Sequence, residues 1–470
     1  MFLSPKDAEP SIPATPVAAP AAVDARTRRL LEAPIVPLLV RLAWPNVLIM
    51  LAQASAGLIE TYWVAKLGTD ALAAMALVFP GVMLMTTLSA GAFGGAISSA
   101  VARTLGAGRR EAADGLVLHA LAVSLALGVA FAALFLLFGR PIYAALGAEG
   151  GALEAALIYS NVVFLGTPLT WAMNGLASVV RGTGNMLLPA LVICVGVALL
   201  VPLSPLLIFG FGPVPGFGIA GGGLALVAYY AAGTVVLAGY ILAGRALVRF
   251  RRVRLSWDVV GTILRVGALS SLQSIQTNVI VAGATALVAA YAGVDAVAGF
   301  GTAVRLEYLL IPLIFGIGAP VVALVGTSFG AGRGDRALSI ALTGAGLAFL
   351  VTEAIGVAAA VFPEAWLSLF SAEPAMIAVG SAYLRMVGPF YGFFGIGLAL
   401  YFASQGTGRL MWPVMGGFLR VAIALGGGWL ALELTGSLTA LFVALGVALL
   451  AYGGFILASV RRWSGPRPAS

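Results

Sequence analysis

Twelve apolar runs, each long enough to cross a bilayer, restrict this chain to a membrane. A spanning helix needs roughly 20 mostly apolar residues. Such runs recur near 38–66, 71–102, 115–138, 152–180, 186–210, 219–247, 263–291, 296–327, 337–362, 376–404, 410–432 and 437–460. Of the 470 residues 61% are hydrophobic and only 9% charged, against roughly 25% charged in soluble domains. A compact soluble domain needs polar residues to cover its surface, whereas lipid absorbs apolar sequence if each backbone polar group is paired within its helix. The expected fold is all-α, with twelve transmembrane helices. The 61 Gly fit close helix packing in a bilayer.

The net charge of +8 has its place in the loops. One side of the alternating runs receives Arg26, Arg28 and Arg29, then Arg103, Arg109, Arg110, Arg181, Arg245 to Arg254, Arg333, Arg336, Arg409, Arg461, Arg462 and Arg467. The other side has Lys66 and Arg140 with Asp70, Glu149, Glu154, Asp295, Glu364, Glu373 and Glu433. The excess of Lys and Arg on cytoplasmic loops puts both termini in the cytoplasm of a multi-pass protein of the inner (plasma) membrane. Basic loops of this kind call for lipid as partner, not nucleic acid. A lone Cys194 and a lone His119 exclude an intramolecular disulfide, a Cys/His metal cluster and a His-based triad. No metal site and no enzyme active site are expected.

An internal repeat divides the chain. At an offset of about 224 residues, Arg41 matches Arg265 and "GTDALAAMA" from Gly68 matches "GVDAVAGFG" from Gly293. "LGAGRREAA" from Leu105 matches "FGAGRGDRA" from Phe329, and "RGTGNMLLP" from Arg181 matches "QGTGRLMWP" from Gln405. Six helices per half make the halves parallel, related by an axis along the membrane normal, an arrangement of transporters that rock around a substrate. The reading divides the chain into a disordered cytoplasmic tail (1–33), an N-terminal lobe (34–247), a basic cytoplasmic connector (248–262), a C-terminal lobe (263–460) and a second tail (461–470).

Charged residues inside the runs are functional candidates, because each costs a few kcal/mol near the bilayer centre. Glu60 shares one helical face with Gln53 and Gly57. Glu307 lies beside Arg305 and Tyr308, and Glu353, Arg385 and Arg420 follow in later runs. Glu60 and Glu307 are the candidates for binding a coupling cation. The alternative is a structural ion pair of Glu307 or Glu353 with Arg385 or Arg420. Aromatic residues Tyr62, Trp63, Trp171, Tyr308, Tyr391 and Phe394 suit a pocket for planar cations. Gln53, Gly57, Gln273 and Gln276 are its candidate polar members. Pro45, Pro168 and Pro389 are candidate bends.

The stretch "LAWPNVLIMLAQASAGLIETYWVAKLGTDALAAMAL" resembles helix 1 and the start of helix 2 of the multidrug and toxic compound extrusion (MATE) family. "LSPLLIFGFGPVPGFGIAGGGLA" and "GFGTAVRLEYLLIPLIFGIGAPVVALVGTSFGAG" are similar to its helix 5–6 junction and helix 8. The resemblance, which is closer to the DinF-like branch, runs over about residues 35 to 460. It implies a monomeric two-lobe antiporter that expels small organic, cationic substrates against protons or sodium, with no other cofactor. It assigns cation coupling to Glu60, where members usually carry Asp, and aligns Pro45 with the helix 1 proline. Ser204 and Leu200 replace an Asp and an Asn found in many members, and no Glu stands near Gln276 and Thr277. The rival readings are a lipid or saccharide flippase of the same superfamily and a major facilitator transporter.

Overall fold

The computed structural model describes residues 24–212 and 214–460. Among these, eleven helices are long and apolar enough to span a membrane, and one bent pair completes twelve crossings. A short α1 (Ala25–Glu32) precedes the first span, α2 (Ile35–Ala65). The second joins α3 (Thr69–Thr86) to α4 (Gly94–Gly106) through a π-helical segment, Thr87–Phe93. The third is α5 (Arg110–Ala145). The fourth is the pair α6 (Gly150–Leu165) and α7 (Thr167–Gly182), bent by 43°. Then come α8 (Leu187–Phe209), a hairpin of β1 (Gly210–Phe211) and β2 (Val214–Pro215), and α9 (Ile219–Leu242).

The second half repeats the first. Spans seven and eight run on in α10 (Trp257–Gly330), broken at Gly293, whose φ of 78° only glycine adopts freely. They are followed by α11 (Gly334–Val361) and a short α12 (Pro363–Leu367). Span ten joins α13 (Pro374–Val387) to α14 (Tyr391–Thr407) through a 3-10 turn at Gly388–Phe390. Span eleven joins α15 (Met411–Val421) to α16 (Gly428–Thr435) through a π-helical segment, Ala422–Gly427, and α17 (Leu438–Val460) ends the bundle. Pro168 and Pro389 stand at the breaks of spans four and ten. Pro45 lies inside α2, which runs on past it.

Glycine makes the repeat physical. Gly182 packs on Ser98 and Val101, while Gly406, at the same place in the second half, packs on Val322 and Val325. Between the lobes one contact is made twice. Gly106 presses on the backbone of Thr327, and Gly330 on the backbone of Arg103. Each pair lies about 224 residues from its counterpart, so a pseudo-twofold relates them. Any Cβ there would strike main chain, which cannot swing aside.

Because the crossings between them are even in number, Asp24 and Val460 lie on one face, here called the basic face. The lobes are bonded together in that half. Ser99 donates to the carbonyl of Gln405 (2.6 Å), and Arg103 donates to the carbonyl of Gly406 (3.0 Å) and to the Ser99 hydroxyl. Gln405 Nε2 donates across to Ala92 O (3.1 Å) and, within its own lobe, to Ser270 Oγ (2.9 Å). Toward the opposite face, polar contacts such as Tyr291 to Glu433 (2.6 Å) stay within a lobe.

Several expectations change. Residues 25–32, assigned to a disordered tail, form α1, capped by Asp24. Leu30 and Leu31 are buried, and Arg333 and Arg336 of the other lobe donate to the carbonyls of Leu31 and Ala33 (3.0 and 2.6 Å). The rest of that tail and the tail 461–470 lie outside the described residues. The seventh span begins at Trp257 rather than 263, so the connector is 243–256. It docks on α5 through Arg249 N to Asp114 (2.8 Å) and Ser256 N to His119 Nε2 (2.9 Å). His119 Nε2 therefore accepts, and its Nδ1–H donates to Gly115 O (2.8 Å). The lone histidine is an anchor.

Candidate functional site

Each lobe buries one carboxylate, in different company. Glu60 projects from α2 and is 8% exposed. Tyr159 of α6 donates to its Oε1 at 3.4 Å, and Gly222 of α9 leaves room beside that oxygen. Among the described residues it has no cationic partner. Ser204 of α8, also in this lobe, is buried with its hydroxyl unpaired.

Glu307 of α10 is paired. Arg420 of α15 meets its Oε1 at 2.5 Å, and Tyr383 of α13 donates to its Oε2 at 3.1 Å. The guanidinium also lies over the rings of Phe394 (4.9 Å) and Tyr452 (5.7 Å). Glu307, Tyr383 and Arg420 line a cavity inside the C-terminal lobe with Phe300, Val304 and Leu445. Arg420 Nη1 is buried there without a hydrogen bond. A buried polar group without a partner marks a place for water or a ligand. Glu307 thus has the ion pair that was its alternative reading, with Arg420 rather than Arg385, which is exposed. Glu353 has a different task. It accepts from Gly392 N at 2.7 Å and caps α14 where Pro389 breaks the span.

The expected pocket residues differ in exposure. Gln53 and Gly57 lie on an exposed face of α2, and Tyr62 is 57% exposed beneath Lys66, 4.6 Å from its ring. Gln273, Gln276 and Tyr391 are buried inside the C-terminal lobe. Gln276 is committed to Val414 O (3.2 Å). Tyr308 is partly exposed and donates to Asn278 (3.3 Å). Helical phase explains the split: residues of α10 and α14 that face their own lobe cannot also face the other.

The sequence pattern of the MatE family matches residues 45–206 and 270–430, more than half of the chain and one block in each lobe. The chain belongs to the MatE family. Its relatives include the FAD transporter of Shewanella oneidensis, 28% identical over 80% of this chain and 82% of that one. Another, from Thermotoga maritima, is named probable multidrug resistance protein NorM, at 26% identity with 82% of each chain covered. A solved MATE structure in the bent conformation superimposes with a TM-score of 0.85 at 25% identity, covering 94% of this chain and 98% of that one. A MOP superfamily transporter from Pyrococcus furiosus superimposes at 0.84 with 24% identity, over 94% and 98%.

Membership makes the chain a multi-pass membrane transporter and removes the major facilitator reading. On the MATE fold, two basic residues first assigned to loops prove to be structural parts of the lobe seam. Arg103 belongs to α4 and bonds across the seam, and Arg181 belongs to α7 and is 5% exposed. The repeat signals this. Arg181 and Gln405 occupy equivalent positions, and both line the space between the lobes.

Proposed function

We propose that this MatE-family transporter is a secondary active multidrug exporter, expelling small organic cations in exchange for protons as its lobes rock. The observation that carries this is Glu60. A charge buried without a cationic partner is costly, and beside Glu60 stand the phenols of Tyr159 and Tyr230 rather than a cation, so it takes up a cation. Glu307 is already neutralised by Arg420 and is a poor exchanger. Protons fit Glu60 better than sodium, since a bound metal ion wants several oxygen ligands and Tyr159 offers one. Closure on the basic face leaves Glu60 to be loaded from the opposite side. With the basic face in the cytoplasm of a plasma membrane, the outer proton gradient drives the cycle. The exporter works as a monomer.

The test is export of a fluorescent organic cation from proteoliposomes, with a pH gradient or a sodium gradient imposed separately. Export under a pH gradient alone is expected. Export driven by neither sinks the exchange reading. A second reading, export of an anionic flavin nucleotide, is favoured by the relative named FAD transporter. Uptake of labelled FAD into inverted vesicles, abolished by an excess of unlabelled FAD but not by an organic cation, would select it.

A further inference from the structure

Arg181 is a buried cation with a missing counter-charge. Its side chain faces a cavity at the lobe seam, walled by Gly91, Gly94, Gly95, Ser98, Ser178 and Gln405. No residue among the described ones pairs with the guanidinium, and its Nε is buried without a hydrogen bond. Ser98 Oγ and Gln405 Oε1, in the same walls, are likewise unsatisfied. No carboxylate lines the cavity. The next cation along the seam, Arg103, bonds only to a carbonyl and a hydroxyl, so it adds positive potential. The C-terminal end of α7 supplies at most about half a negative charge. An unneutralised buried charge costs several kcal/mol. The space admits little more than one water-sized sphere, which excludes a phosphate ester or an organic acid.

We propose that Arg181 and Ser98 hold a small monovalent inorganic anion, chloride by size, in the closed seam between the lobes. Both are donors and face the same small space. Gln405 Oε1 is an acceptor and takes a hydrogen bond from the guanidinium. Since the walls come from both lobes, the site exists only while they are closed on the basic face. The anion therefore stabilises that conformation and leaves when the seam opens.

Crystals of the full chain in this conformation, grown with bromide in place of chloride, test the assignment by anomalous diffraction. A peak is expected beside the Arg181 guanidinium. It should be absent in Arg181→Gln, which installs the residue found at the repeat-equivalent position. In detergent, chloride should raise the melting temperature of the wild-type protein relative to gluconate at equal ionic strength. Arg181→Gln should lose that shift and Arg181→Lys should keep part of it. Where Arg181→Gln fails to fold, the wild-type bromide crystal and a reduced shift in Ser98→Ala decide. A wild-type bromide crystal without the peak means that water alone fills the cavity and overturns the proposal. So does a chloride shift that persists in Arg181→Gln, since the ion then sits elsewhere.

Discussion

Two buried glutamates separate coupling from architecture at the residue scale. Glu60→Gln keeps shape and removes the exchangeable charge. It is expected to abolish gradient-driven export in proteoliposomes, by at least about tenfold, while the melting temperature in detergent holds or rises, because a costly buried charge is gone. Normal export by this variant removes Glu60 from the mechanism. Glu307→Gln strands Arg420 in the C-terminal lobe. Breaking a buried pair from one side costs about 3–5 kcal/mol, so a large fall in thermal stability is expected. The double change Glu307→Leu with Arg420→Met should recover most of it. If the double variant is as unstable as the single, the pair is not what stabilises that cluster. Glu60 was legible from its position in an apolar run. The partner of Glu307 was narrowed to Arg385 or Arg420 and no further, because Arg420 is 113 residues away and nothing in the sequence ranks it above Arg385.

At the scale of elements, breaks in spans place polar groups where they are needed. A π-helical segment frees carbonyls from the regular ladder. In the segment Thr87–Phe93 the carbonyls of Gly91 and Ala92 accept from Gln405 (3.3 and 3.1 Å). At span ten Pro389 lacks an N–H, and Glu353 takes the free N–H of Gly392 beyond it. Glu353→Ala should cost about 0.5–2 kcal/mol, as loss of a helix cap does. Hydrogen exchange should rise at the start of α14 and not in α17. Uniform exchange across both would show that the cap does no local work. The bend of span four depends on close approach as well: Gly128 of α5 lies against the backbone of Pro168 at 2.7 Å from a notional Cβ. Prolines announced these breaks in the sequence. The π-helical segments carry no such mark, since they answer to partners on other spans.

For the whole molecule, the doubled contact of Gly106 with Thr327 and Gly330 with Arg103 is the seam on which the lobes close. Gly106→Val puts atoms into main chain, so closure on the basic face becomes unfavourable and the lobes should close on the other. Spin labels at exposed Glu149 and Glu373, one on each lobe, should move closer in this variant by double electron–electron resonance. An unchanged distance distribution means that the seam does not control the equilibrium. The repeat made two lobes legible and even located both halves of this contact. It did not say that the two halves touch, because equal offsets along a chain carry no information about where an axis lies.

Local physics explains what the sequence determined by itself: a membrane solvent, twelve crossings, two parallel halves, repeated glycine turns and a carboxylate at Glu60 inside an apolar run. Each follows from the length of apolar runs, the cost of charge in lipid and the spacing of a repeat. Tertiary structure decided the rest. It paired Glu307 with Arg420 and sent Glu353 to a helix end. It left Arg181 buried at the lobe seam, and it buried some of the expected pocket residues while exposing others. Those outcomes depend on helix rotation and on which neighbour fills each gap, and a periodicity of apolar residues all round a spanning helix leaves that rotation open.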